Sequence, residues 1–101
     1  MDKRDYGIYI IKDSFSIGRV TGFMPQPNDL AAMYQFKKFL ENEENLKNFP
    51  ILRKLELIRC CRVDQLTDRL LTEELNKTVC NATNVEEYIK IYQSRMEAEE
   101  V

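Results

Sequence analysis

The hydrophobic pattern opens as a strand. In Tyr6-Gly7-Ile8-Tyr9-Ile10-Ile11, β-branched and aromatic residues dominate, which suits a pleated element. Both alternating sets are apolar, Tyr6/Ile8/Ile10 on one side and Tyr9/Ile11 on the other. That predicts an inner strand, or one partly covered on its second face. Lys12-Asp13-Ser14 reads as a turn, and Arg19 to Met24 as a returning strand with Val20 and Phe23 inward.

The period then changes to that of a helix. Pro25 and Pro27 hold the entry extended, and Asn28 or Asp29 can accept from a free N–H of the first turn. Ala32, Met33, Phe36, Phe39 and Leu40 share one face, with Lys37 and Lys38 off its centre. The helix is expected to end in the acidic run Glu41 to Asn45, and Phe49-Pro50 stops any continuation.

Leu52 to Val63 fits two periods. Leu55 and Leu57 alternate as in a strand, whereas Leu52, Leu55 and Ile58 also fit a helix. Pro50 before the segment and the turn-like Asp64-Gln65 after it favour the strand. A phase change near Leu57 and Ile58 calls for a bulge or two covered faces. Leu66 to Leu71 reads as a short edge strand, Thr72 to Leu75 as a helical turn, and Asn76 to Thr83 as a polar connection anchored by Val79 and Cys80. A last helix starts at Asn84, where Glu87 three residues on makes a capping-box pattern. Its apolar stripe is Val85, Tyr88, Ile89 and Tyr92.

These elements describe an α+β fold. A small antiparallel or mixed sheet of three to four strands packs against one central helix, with a C-terminal helix added. The 101 residues suit one domain, with its core in residues 6–72 and the last helix near 84–98. Hydrophobic residues at 44% and charged residues at 32% agree with a folded chain. No apolar run is long enough to span a membrane. The charged start Met1 to Asp5 leads into no signal-peptide pattern, so a cytoplasmic site is expected. Three cysteines, two of them adjacent, make a poor disulfide framework.

Candidate chemistry is sparse. The chain has no histidine, no Gly-x-Ser-x-Gly elbow and no Gly-rich phosphate loop. The paired carboxylates Glu43/Glu44 and Glu73/Glu74 sit in polar runs that read as solvated surface. No enzyme and no cofactor is expected. Cys60, Cys61 and Cys80 fall short of the four ligands of a structural zinc site, and adjacent strand residues point to opposite faces. Small buried hydrophobes are the simpler reading, and no metal is expected.

The one local charge asymmetry is Arg53, Lys54, Arg59 and Arg62, within ten residues, against Glu56 alone. In a regular strand Arg53 and Arg59 share one parity and Lys54 and Arg62 the other. A bulge near Leu57 could regroup them, and Lys37 and Lys38 could join from the helix. Cations on a sheet with tyrosines nearby suit phosphate contact and base stacking. The plainer reading is a charged exposed face that blunts a sheet edge. The stripe Val85/Tyr88/Ile89/Tyr92 could instead dock a second copy or a protein partner, or simply pack on its own sheet.

A set of matching positions runs through most of the chain: Tyr6, Ile8, Tyr9 and Asp13; then Phe23, Asn28, Asp29, Ala32 and Phe36; then Phe49-Pro50, Leu55 to Ile58, and Val63-Asp64. In this order and spacing the chain resembles the small nonstructural protein of gokushoviruses, single-stranded DNA phages of the Microviridae. The resemblance covers about residues 6–72. Where that family has an Ile-Gly pair, this chain has Cys60-Cys61, and the helix from Asn84 runs past the family's usual end. The resemblance implies a nonenzymatic phage protein in the bacterial host cytoplasm. Such a protein would act with the single-stranded genome in replication or packaging, or with a phage or host protein. It assigns no binding residues. The expectation is therefore single-stranded DNA bound by Arg53, Lys54, Arg59 and Arg62, with Lys37 and Lys38 nearby.

Overall fold

The computed structural model describes residues 5–13, 21–42, 54–64, 66–67, 69–71 and 75–99. Among the described residues five strands and two helices follow in the order β1 (Asp5–Asp13), β2 (Met24–Gln26), α1 (Asp29–Glu41), β3 (Leu55–Asp64), β4 (Arg69–Leu71), β5 (Lys77–Asn81) and α2 (Val85–Glu99). Every strand pairing is antiparallel. β1 and β3 form the centre of the sheet, β2 flanks β1, and β4 and β5 both pair with β3. The α+β architecture is thus the expected one, with β1 an inner strand as its two apolar sides require.

Both helices lie on one face of the sheet. Tyr9 and Ile11 of β1, Leu55 and Leu57 of β3, and Cys80 of β5 are buried on that face. They meet Ala32, Met33 and Phe36 of α1 and Val85 and Ile89 of α2. Burying a side chain the size of Phe36 or Met33 stabilises by roughly 1.5–3 kcal/mol, so this cluster holds the helices to the sheet. Asn28 caps α1, its Oδ1 accepting the Ala31 N–H at 2.8 Å. Asp29 opens the helix as its first acidic residue, where the macrodipole favours a carboxylate.

Several segments differ from expectation, each for a local reason. The returning strand is Met24–Gln26, and Phe23 is 62% exposed rather than inward. Pro25 sits opposite Ile8 on this short strand, which pairs with β1 alone among the described strands, a position that proline tolerates. Val20 lies outside the described residues. The polar connection after Asn76 contains β5, because Thr78, Val79 and Cys80 pair with β3. The capping box is replaced by a reciprocal pair. The Asn84 Oδ1 accepts the Asn81 N–H at 2.8 Å, and the Asn81 Oδ1 accepts the Asn84 N–H at 3.0 Å. The proposed helical turn at 72–75 and the segment 43–53 lie outside the described residues, apart from Leu75.

Candidate functional site

Leu55, Leu57 and Arg59 alternate onto the helix face of β3. Regular alternation would then send Arg62 to the opposite face, because it lies an odd number of residues on. A bulge prevents this. Tyr9 pairs with Arg59 and Ile8 with Cys61, so Cys60 is the extra residue. Beyond it Gly7 faces Arg62, and Arg62 returns to the helix side. The regrouping anticipated near Leu57 on this strand therefore occurs at Cys60.

The Cys60 carbonyl accepts the N–H of Asn76 at 3.0 Å. Asn76 has φ 52°, a left-handed conformation that asparagine tolerates. That contact starts β5 beside the bulge and sets Lys77 opposite Arg59. Arg59, Arg62 and Lys77 thereby share one face. They line a cleft of about 520 Å³, with Asp29, Tyr88 and Tyr92 contributed by the helices.

Asp29 joins the elements behind this cleft. Arg59 Nη1 donates to both of its oxygens at 2.8 Å. The hydroxyl of Tyr9 donates to Oδ1 at 2.6 Å and that of Tyr92 to Oδ2 at 3.0 Å. One carboxylate thus ties β1, β3 and α2 to the start of α1. Arg59 is only 8% exposed, and a buried guanidinium requires such a counter-ion. Burial raises the ionisation of Tyr9 well above the ordinary phenol range, and its hydrogen bond to Asp29 adds to the shift. Burial and then the Asp29 charge raise Tyr92 in the same direction. The Cys80 thiol is pushed up to about 12, first by burial and then by Asp29.

The residues expected to touch nucleic acid do not form one group. Arg59 is a buried structural ion pair, which corrects its assignment as an outward phosphate contact. Arg62 lines the cleft, its side chain 41% exposed, with Asp5 at 4.0 Å. Lys54 is exposed and precedes β3, away from the cleft lining. Lys37 lies 3.8 Å from Glu86, and neither it nor Lys38 lines the cleft. Arg53 lies outside the described residues.

The alternative docking stripe also divides. Val85 and Ile89 are buried in the core, which corrects their assignment to a partner surface. Tyr92 packs beside the core and binds Asp29. Tyr88, at 38%, stays exposed with Ile91 and Met96.

Asp29, Lys77 and Tyr9 are the site residues that sequence reasoning missed. An arginine at the inward parity of an apolar strand was a usable signal, since it demands a buried carboxylate nearby. Lys77 gave none, because its register depends on Asn76.

Among the described residues no three potential metal ligands come together, and no helix is long and apolar enough to cross a membrane. Comparison with known proteins finds no family model, no curated protein and no solved structure that matches this chain.

Proposed function

We propose that this chain is a nonenzymatic binding protein for single-stranded DNA, which it holds along the cleft between β3, β5 and α2. One observation carries the reading. Among the described residues the cleft is lined by three cationic side chains, Arg59, Arg62 and Lys77, and by a single carboxylate, Asp29, on a chain of formal charge −2. Asp29 already neutralises Arg59, and Arg62 and Lys77 line the same cleft. The half-exposed approach of Arg62 to Asp5 is a weak pair that a phosphate can displace. Tyr88 offers an exposed ring on which a base can stack. A cleft of about 520 Å³ suits a nucleotide-sized unit, which favours a single strand over a duplex. The choice of DNA among polyanions rests on the resemblance over residues 6–72. On that basis the protein acts with a phage genome in replication or packaging, in the bacterial cytoplasm.

Fluorescence anisotropy with a labelled single-stranded oligonucleotide tests the proposal. The parent binds at low salt and releases as salt rises, because phosphate contacts displace condensed counterions. Arg62→Ser/Lys77→Ser lowers the magnitude of the salt slope by about two, roughly one for each cation removed. Lys37→Ser/Lys38→Ser leaves the slope unchanged. Absence of binding at low salt, or a double cleft variant that binds like the parent, defeats the proposal.

A further inference from the structure

The sides of α2 meet different surroundings. Val85 and Ile89 are buried against the sheet. Glu86 lies 3.8 Å from Lys37, and Gln93 donates to the Tyr34 hydroxyl, so a second side rests against α1. Tyr88, Ile91 and Arg95 belong to a third side, and all three are exposed. With Tyr92 they line a hollow on the helix surface. Their spacing is i, i+3, i+4 and i+7, the four corners that receive one apolar side chain where two helices pack. Ile91, 40% exposed, is such a side chain.

We propose that α2 pairs with α2 of a second copy of this chain, antiparallel about a two-fold axis at Ile91, each Ile91 seated in the hollow of the other copy. The charges select this occupant and this direction. Glu87 stands four residues before Ile91 and Arg95 four residues after it, both exposed. A two-fold axis perpendicular to the helix at Ile91 sets Glu87 of each copy against Arg95 of the other, so the surface is complementary to itself. Parallel helices in register would set Arg95 against Arg95 and Glu87 against Glu87, and like charges across an interface repel. Exposed ion pairs add little affinity. Burial of Ile91 therefore drives the pairing, and the charges fix its direction. Tyr88 lines both the hollow and the cleft, so the seam borders that site without depending on its ligand.

Sedimentation velocity without nucleic acid tests the pairing, so its outcome is separate from that of oligonucleotide binding. The 12.0 kDa chain sediments partly at twice that mass, in a fraction that rises with concentration. Arg95→Glu and Glu87→Arg, each checked for folding by circular dichroism, lower the dimer fraction, because each sets like charges across the seam. An equimolar mixture of the two variants restores it, since each supplies the charge that the other lacks. A parent that stays monomeric throughout, single variants that dimerise like the parent, or a mixture no more dimeric than its components overturns the proposal. Hydroxyl-radical footprinting of the unmodified parent keeps the proposal falsifiable should those variants fail to fold. Oxidation of Ile91 falls as the parent is concentrated. Equal oxidation of Ile91 in dilute and concentrated samples overturns it.

Discussion

Arg59 Nη1 stands 2.8 Å from both carboxylate oxygens of Asp29, a residue thirty positions earlier in the chain. The pair spans the two layers of the fold, since Asp29 begins α1 and Arg59 sits in the middle of β3. It also carries the hydroxyls of Tyr9 and Tyr92. A single carboxylate therefore joins four elements behind the cleft, and it reaches α2 through the Tyr92 hydroxyl.

Breaking the pair from one side leaves a charge stranded in a dry place. Asp29→Ala should cost about 3–5 kcal/mol, the usual penalty for orphaning a buried partner. Replacing both, as Asp29→Ala/Arg59→Met, should recover much of that loss, because neither charge then needs solvation. Urea denaturation of the two variants and the parent measures this. A double variant less stable than Asp29→Ala would show that the pair is not the source of the penalty.

The pH dependence follows from the groups whose proton the fold retains. Cys80 is raised from 9.0 to about 12, and Tyr9 and Tyr92 are raised above their ordinary 10.0. The unfolded chain loses these protons at ordinary values while the folded chain keeps them. Above those values the folded state binds more protons, so stability falls as pH rises. The contribution of Cys80 is complete below pH 9 and is lost through about 12. Urea midpoints should decline from pH 9 upward, and Cys80→Ala should flatten the first part of that decline. Tyr9→Phe should flatten the part above pH 10.

The sequence carried the local half of this fold plainly. Tyr6 to Ile11 is apolar on both sides and becomes an inner strand. Ala32, Met33 and Phe36 recur on one face and become core. What stayed hidden depends on contacts distant in sequence. β5 looked like a loop because Asn76 and Lys77 are polar, and its register depends on an Asn76 bond to the Cys60 carbonyl. The grouping of Arg59 with Arg62 depends on one extra residue at Cys60, which alternation cannot reveal. The role of Asp29 depends on a partner thirty residues away; its local reading as a possible helix cap was chemically reasonable but incomplete.

The division of the α2 stripe can be measured directly. Ile89 is 6% exposed and packed in the core, so Ile89→Ala should cost about 2–5 kcal/mol. Tyr88 is 38% exposed, and Tyr88→Ser should stay within about 0.5 kcal/mol of the parent. The same Tyr88→Ser should weaken oligonucleotide binding, since it removes the ring that faces the cleft. Denaturation and anisotropy on these two variants separate the residue that holds the fold from the one that meets the ligand. Equal stability losses would show that α2 is not seated through Ile89.

Gly7 reports on the cleft floor. It lies two residues from Tyr9 on the same face, and the Tyr9 ring folds back over it. A Cβ at position 7 would stand 2.6 Å from Tyr9 Cε1 and 2.7 Å from its hydroxyl oxygen. The far end of a tyrosine can usually swing aside, but this one is fixed by its 2.6 Å bond to Asp29. Gly7→Ala must therefore either break that bond or move the strand. An overpacking cost of about 1–3 kcal/mol is expected. Adding Tyr9→Phe removes the bond that fixes the ring, so the further loss caused by Gly7→Ala should shrink in that background. A double-mutant cycle by urea denaturation reads this coupling directly. Strict additivity of the two changes would mean that Tyr9 is not the group that requires glycine here.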